Sequence, residues 1–222
     1  MFSTPQPSPQ WPRWIEAQLC RRGIQDERVL RAFVRVPRAE FVRRSDRARA
    51  LIDAPISIGC GQTVSQPYVI AVSLQALALT GSERVLDVGT GSGYQAVLLS
   101  HLAAEVYTIE IYQTLYINAR LCIERLQKAP VHTRMGDGSL GWPEAAPFDA
   151  IVSGARAPKL PPSLVAQLAP GGRMVIPIGD ENRQILVRYE KLPDGSLKKS
   201  ALDPVLFVPL LGKEGTGHYP DA

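Results

Sequence analysis

"VLDVGTGSGYQ", residues Val85 to Gln95, decides how this chain folds. Val85 to Val88 read as a buried strand, and the chain then enters a loop with glycine at every second position: Gly89, Gly91 and Gly93. Glycine tolerates positive φ and lets another molecule lie against the bare main chain. A helical pattern follows at once, so the stretch is one corner of a strand–helix–strand unit. A tight turn without a ligand is the alternative, although such a turn rarely needs three alternating glycines.

The same alternation extends outward in both directions. "YVIAVSLQALAL" before the loop reads as a buried helix. After it come a helix in "YQAVLLSHLA", a strand in "EVYTIEI", a helix in "YQTLYINARLCIERL", and strands in "VHTRMGD" and "FDAIVSG". "PPSLVAQLA" reads as a short helix ended by "PGG", with the strand "RMVIPIG" after it. Strands alternating with helices of this length predict right-handed crossovers in an α/β, doubly wound, mainly parallel Rossmann-like sheet with helices on both faces. "RQILVRYEKLPDGSLKKSALDPVLFVPLLG" predicts two antiparallel strands around the turn "PDGS" at the C-terminal edge. Upstream, Trp14 to about Arg31 predicts two short helices parted at Gly23, with Ile15, Leu19, Val29 and Leu30 buried, and "VPRAEFV" a third helical piece. The division expected is a flexible tail over 1–13 and one domain over 14–222. Within it, 14–66 is a helical and loop segment, 67–180 the core, and 181–222 the edge strands and tail.

Composition limits the possible classes. A chain of 222 residues with 45% hydrophobic and 21% charged residues suits one soluble globular domain. No apolar run approaches the roughly 18 residues of a membrane helix, and the proline-rich start lacks an apolar signal core. Cys20, Cys60 and Cys122 are odd in number and widely spaced, which argues against disulfides or a bound metal and fits a cytoplasmic setting. A net charge of +4 is too mild to suggest nucleic acid, and a monomer is the expected state.

The ligand of the loop follows from its departures from the dinucleotide fingerprint. That fingerprint is G-x-G-x-x-G with a pyrophosphate on the helix; here Tyr94 takes the place of its last glycine. Asp87, two residues before Gly89, would repel a pyrophosphate but attract a cation such as the sulfonium and amino group of S-adenosyl-L-methionine. Glu110 ends the next strand, where a carboxylate accepts hydrogen bonds from ribose hydroxyls. Asp137 and Gly138 follow the third strand, in position for an adenine edge. Three acids at successive strand ends, aimed at one cleft, read as a methyl-donor site.

Further segments give the chain a resemblance to the protein-L-isoaspartate O-methyltransferase family. They are "RVLRAFVRVPRAEFV" (28–42), "IGCGQTVSQPYVIA" (58–71), "GDGSLGWPEAAPFDAI" (136–151), "LAPGGRMVIPIG" (168–179) and "VPLLGKEG" (208–215), with "GQTVSQP" the most particular. The resemblance implies S-adenosyl-L-methionine as cofactor, and repair of isoaspartyl-containing proteins and peptides as function. In that chemistry the free α-carboxylate of L-isoaspartate is methylated, and the ester then closes to a succinimide. The resemblance assigns Ser65 to the active site. It implies cofactor contacts at Gln62, Thr63, Val64, Asp87, Gly89, Thr90, Gly91, Ser92, Glu110, Ile111, Asp137 and Gly138. It implies substrate contacts at Ala155 and Arg156 and along the backbone of Val208, Pro209 and Leu210.

A carboxylate nucleophile is already ionised at neutral pH, so no strong base is required. Ser65 therefore serves to orient it; capping of the following helix is the alternative role, taken by Ser65 or Gln66. Arg156 stands where relatives carry small residues, and either grips a carboxylate or is a solvated loop arginine. The tail "GTGHYPDA" departs from the family pattern, and the cluster Arg43, Arg44, Arg47 and Arg49 reads as a solvated face. Rival readings are a methyltransferase for another carboxylate and a cofactor-binding adaptor without catalysis. "SGARAP" after strand four lacks the aromatic motif of a base-flipping nucleic-acid enzyme.

Overall fold

The computed structural model describes residues 11–219; residues 1–10 of the expected tail and residues 220–222 lie outside them. Arg13, assigned to the tail by the sequence, already opens helix α1 (Arg13–Gln18). A single turn of 3₁₀ helix ends at Gly23, whose φ of 94° reverses the chain into α2 (Glu27–Arg35). Asp26 caps α2 by accepting from the Arg28 and Val29 N–H groups, as expected of an aspartate before an amphipathic helix. "VPRAEFV" becomes a 3₁₀ turn over Arg38–Phe41, and β1 (Ile56–Gly59) and β2 (Gln62–Val64) form an antiparallel hairpin.

The alternating region supplies α3 (Pro67–Leu77), β3 (Arg84–Val88), α4 (Tyr94–Ser100), β4 (Glu105–Glu110), α5 (Gln113–Leu126), β5 (Val131–Met135), β6 (Phe148–Ser153), α6 (Pro162–Gln167) and β7 (Leu168–Gly179). β8 (Gln184–Lys191) and β9 (Leu197–Val205) complete a seven-stranded sheet of order β5-β4-β3-β6-β7-β8-β9. The first five strands in that order are parallel and the last two antiparallel, as the sequence pattern predicts. Strand order reverses between β3 and β6, so their carboxyl ends leave a crevice between the loops they feed.

Side chains alternate across each strand and build two cores. Val85, Val106, Ala150 and Val175 join α3, α4 and α5 on one face, while Leu86, Ile109, Ile151 and Met174 pack on the other. The helices are unevenly shared: α6 contributes Leu164 to the second face, which is otherwise closed by turns and by Leu210 from the tail. On the first face α4 is almost wholly buried, because α2 and α5 pack against it. Tyr94 anchors that outer layer, with Phe33 edge-on at 6.2 Å and Phe41 at 5.2 Å.

One boundary differs from the sequence reading. "PGG" does not end α6; the helix stops at Gln167 and β7 begins at Leu168, with a register shift opposite Phe148–Ala150 that accommodates the glycines. β9 is the outer edge of the sheet, with Lys198, Lys199 and Pro204 exposed along it. The arginine cluster is surface, partly paired: Arg47 lies 3.7 Å from Glu40 and Arg49 3.6 Å from Asp46.

The three loop glycines all have positive φ, but they serve different ends. A Cβ at Gly89 would meet nothing within 4 Å, since that side is open crevice. A Cβ at Gly93 would lie 3.0 Å from Ile123 and 3.4 Å from Ala119, so bare backbone there lets α4 close onto α5. Gly93→Ala combines that crowding with φ strain, and it is expected to cost roughly 1–3 kcal/mol. Denaturant unfolding of the variant against wild type checks this; an unchanged midpoint would contradict the packing account.

Candidate active site

The crevice divides into three adjoining cavities at the reversal of strand order. One of 60 Å³ lies over Gly89 and Gly91 and reaches Glu110, Ile111 and Gly138. A second of 40 Å³ runs along the inner side of the loop past Thr90, Ser92 and Val64. The third, of 480 Å³, is walled by Pro55, Ser65, Gln66, Val69 and the segment from Pro204 to Val208. Thr63 and Gly154 border all three, so the cavities form one cleft with a common waist. A Cβ on Gly154 would come within 3.3 Å of the Gly89 carbonyl, which is why the two loops can approach so closely.

The glycine loop spends its own donors internally. Gly89 and Thr90 N–H both donate to the Ile109 carbonyl at 2.9 and 3.0 Å, Gly91 N–H to Glu110 at 2.7 Å, and Gly93 N–H to the Thr90 carbonyl at 2.8 Å. A loop built for pyrophosphate keeps such N–H groups free at the helix N-terminus. This one is poor in outward donors and suits a ligand without phosphate.

Of the three acids expected to converge, Glu110 alone lines the cleft. Its carboxylate accepts from Gly91, Ile111 and Tyr112 N–H at 2.7, 3.0 and 2.9 Å. Burial raises its pKa, and those three donors oppose the rise. Asp87 shares the strand face of Val85, so its side chain points beneath α4 and is fully buried. It accepts from Gln95 Nε2 at 2.8 Å and Thr108 Oγ1 at 2.9 Å, and the two threonine hydroxyls of 90 and 108 are 2.7 Å apart. Asp87 therefore stiffens the loop from behind instead of meeting a cation directly. Asp137 is also turned away: one oxygen caps the turn at Ser139, the other accepts from Lys213 N–H at 2.8 Å and Tyr219 hydroxyl at 2.9 Å. Its neighbour Gly138 is the part that reaches the cleft.

Ser65 lies on the walls of both the 480 Å³ cavity and the cavity along the loop. Capping of α3 is done by another residue. Asp53 accepts from Tyr68 N–H at 2.9 Å and from Gln66 Nε2 at 2.7 Å, while neither Ser65 nor Gln66 caps through its side chain. Among the described residues the Ser65 hydroxyl has no hydrogen-bond partner, so it is free to meet a ligand. Gln62, Thr63, Ala155, Pro209 and Leu210 line the cavity over the glycines, and Val208 borders this and the large one.

Arg156 departs from both readings of it. It is buried, and its guanidinium faces the Gly179 carbonyl at 3.4 Å and Glu181 at 3.9 Å, away from the cleft. Its main chain instead pins the tail: Arg156 N–H donates to the Val208 carbonyl at 2.8 Å, and Leu210 N–H to the Arg156 carbonyl at 2.7 Å. The Leu210 carbonyl is taken by Thr216 N–H, so little of the expected backbone edge at 208–210 remains open.

A sequence profile described as protein-L-isoaspartate(D-aspartate) O-methyltransferase (PCMT) matches residues 14–215. The chain belongs to that family. It is 54% identical over 198 residues to the protein-L-isoaspartate O-methyltransferase of Anaeromyxobacter dehalogenans (strain 2CP-1 / ATCC BAA-258), covering 88% of this chain and 95% of that one. It is 46% identical over 205 residues to the one of Geobacter metallireducens, with 92% and 95% covered. A structure assigned as a protein-L-isoaspartate O-methyltransferase from Plasmodium falciparum, in complex with S-adenosyl-L-homocysteine, superposes with a TM-score of 0.76 at 29% identity. The match covers 89% of this chain and 96% of that one.

Several wall residues carry no motif that sequence reasoning could seize. Gly154 is the exception: it follows β6 as Gly89 follows β3, at the two strand ends flanking the reversal. Tyr112, Val69 and Phe207 are ordinary residues brought to the cleft by the fold. No helix among the described residues is long and apolar enough to cross a membrane, and they contain no group of side chains suited to a metal.

Burial pushes the Asp87 carboxyl up to about 7, against the pull of its Gln95 and Thr108 bonds. The fold then retains a proton that the unfolded chain releases near pH 4. Stability from this group is full below about pH 4 and is lost as pH rises towards 7. Asp87→Asn cannot ionise, so its thermal midpoint relative to wild type is expected to rise between pH 4.5 and 7.5. A difference that stays constant across that range would refute the assignment.

Proposed function

We propose that this protein transfers the methyl group of S-adenosyl-L-methionine to the free α-carboxylate of L-isoaspartyl residues in damaged proteins and peptides. The observation that carries the reading is the unpartnered Ser65 hydroxyl, set where the large cavity meets the glycine loop. Family membership supplies the reaction, and the complexed relative is the precedent for the cofactor.

The residues present fit the cofactor. The open side of Gly89, the inward-bonded loop and the Glu110 carboxylate suit an uncharged nucleoside joined to a cationic sulfur. Glu110 would accept the ribose hydroxyls, with Gly138, Ile111 and Tyr112 around the base. Gln62, Thr63 and Val64 would cover the donor end, beside Thr90, Gly91 and Ser92. Asp87 and Asp137 act through the backbone they hold. When bound, the cofactor supplies an electrophilic methyl group on a positively charged sulfur.

The chain's own task is alignment and exclusion of water. A carboxylate needs no base at neutral pH, and the cleft walls include no histidine, lysine or cysteine. Neutral donors suit this nucleophile better than an arginine, because a tight ion pair would hold its lone pairs. Ser65 hydroxyl orients the carboxylate, and Ala155 and Val208 flank it. Methyl ester formation leaves closure to the succinimide to the product's own chemistry. With the Arg156 guanidinium outside the cleft, nothing favours a different small carboxylic acid as substrate.

The activity is carried by a single domain over 14–222, working as a cytoplasmic monomer without nucleic acid or membrane partners. All three cysteines are free, in keeping with a reducing compartment.

Labelled methyl donor offered with paired peptides, one isoaspartyl and one aspartyl, is expected to mark only the former; equal labelling of both would overturn the reading. Ser65→Ala is expected to lower kcat by about 10–100-fold through lost orientation, with S-adenosyl-L-homocysteine affinity held within about twofold. Calorimetry showing both lost together would reassign the serine to the shape of its loop.

A further inference from the structure

Two residues that no part of the reaction calls for hold the main chain around Ser65. Arg38 is buried, with a relative exposure of 3%. Its Nη1 donates to the carbonyls of Ala50 and Ile52 at 3.0 and 3.1 Å. Its Nη2 donates to those of Ala54 at 2.8 Å, Ser65 at 3.0 Å and, more weakly, Val64 at 3.4 Å. These carbonyls lie on two irregular stretches, where buried backbone groups must find partners outside regular ladders. No carboxylate forms a salt bridge with the guanidinium among the described residues; carbonyls take its hydrogen bonds, its Nε has no partner, and the nearby Asp53 charge favours its charged form. Burying a cation that way is costly, and it persists only where the bonds are well formed. A lysine could not replace it, because one ammonium cannot span both stretches as a planar fork does.

Asp53, between two of the residues whose carbonyls Arg38 binds, completes the arrangement. It takes the free Tyr68 N–H of α3 and the Gln66 amide, and is itself ion-paired to Arg22. The Ser65 carbonyl is thus fixed by Arg38, and the two residues after Pro67 and before it by Asp53. Neither Arg38 nor Asp53 lines the cleft.

We propose that Arg38 and Asp53 are positioning residues for methyl transfer, two braces that hold the serine loop so that the Ser65 hydroxyl faces the glycine loop. The inference rests on the reading of Ser65 as the group that orients the substrate.

A double-mutant cycle with an isoaspartyl peptide tests it. Arg38→Lys is expected to lower kcat/KM by about 10–100-fold, a misplacement effect, with S-adenosyl-L-homocysteine affinity unchanged within about twofold. In the Ser65→Ala background the same change should cost less than about threefold, since coupled residues do not add. Independent, multiplying losses, or cofactor affinity falling in step with kcat/KM, would overturn the proposal. Should Arg38→Lys not fold, Asp53→Asn carries the same cycle. Hydrogen exchange gives a readout independent of methylation: amides from Ser65 to Tyr68 should exchange faster in the variant, while those from Gly89 to Gly93 should not. Equal acceleration in both stretches would reduce the braces to general stability. If wild type fails to label the peptide, the functional reading falls while the exchange result still judges the braces.

Discussion

The Ile109 carbonyl, receiving the N–H groups of both Gly89 and Thr90, is the contact on which the rest of the site depends. It ties the loop leaving β3 to the end of β4, so the direction of the loop is set by the parallel pairing of two strands. Gly154 N–H donates to the Val88 carbonyl at 2.9 Å and ties β6 to the same corner. Three strand ends are thereby locked at one point, and the cleft is the space left above it. Because most of the loop's N–H groups are taken from within, it can present surface to a ligand but few hydrogen-bond donors.

The electrostatics follow from that economy. Asp87 is walled in beneath α4, where burial lifts its carboxyl to about 7, while Glu110 faces the cleft with three backbone donors partly offsetting its burial. One buried acid acts as a mechanical strut and the other as the local negative charge. The remainder of the walls is neutral or apolar, which leaves an entering carboxylate to be oriented by hydroxyl and amide groups.

Much of this was legible because it rests on local pattern. Alternating hydrophobic strands and helices define the doubly wound sheet, and the glycine spacing with Tyr94 separates the loop from a dinucleotide site. Glu110 at the end of its strand was likewise readable. What failed to show were side-chain directions and long-range partners. Asp137 sits at the expected strand end, but Lys213 and Tyr219 draw its carboxylate towards the tail. Arg156 reads as a carboxylate grip or a solvated loop arginine; its guanidinium is instead buried and turned to the Gly179 carbonyl. The cap of α3 was sought among adjacent residues and comes from Asp53, in a different loop. No local signal points to Asp53 or to Arg38, because both act on carbonyls and N–H groups that every sequence contains.

The outer strand β9 has a consequence for how the molecule behaves in a crowd. An unpaired edge is a template on which other chains can add strands. Here two lysines, a register shift opposite Ile185–Val187 and Pro204 interrupt it, and Pro204 also lies on the large cavity's wall. A polypeptide substrate thus meets a border that resists being extended into a wider sheet.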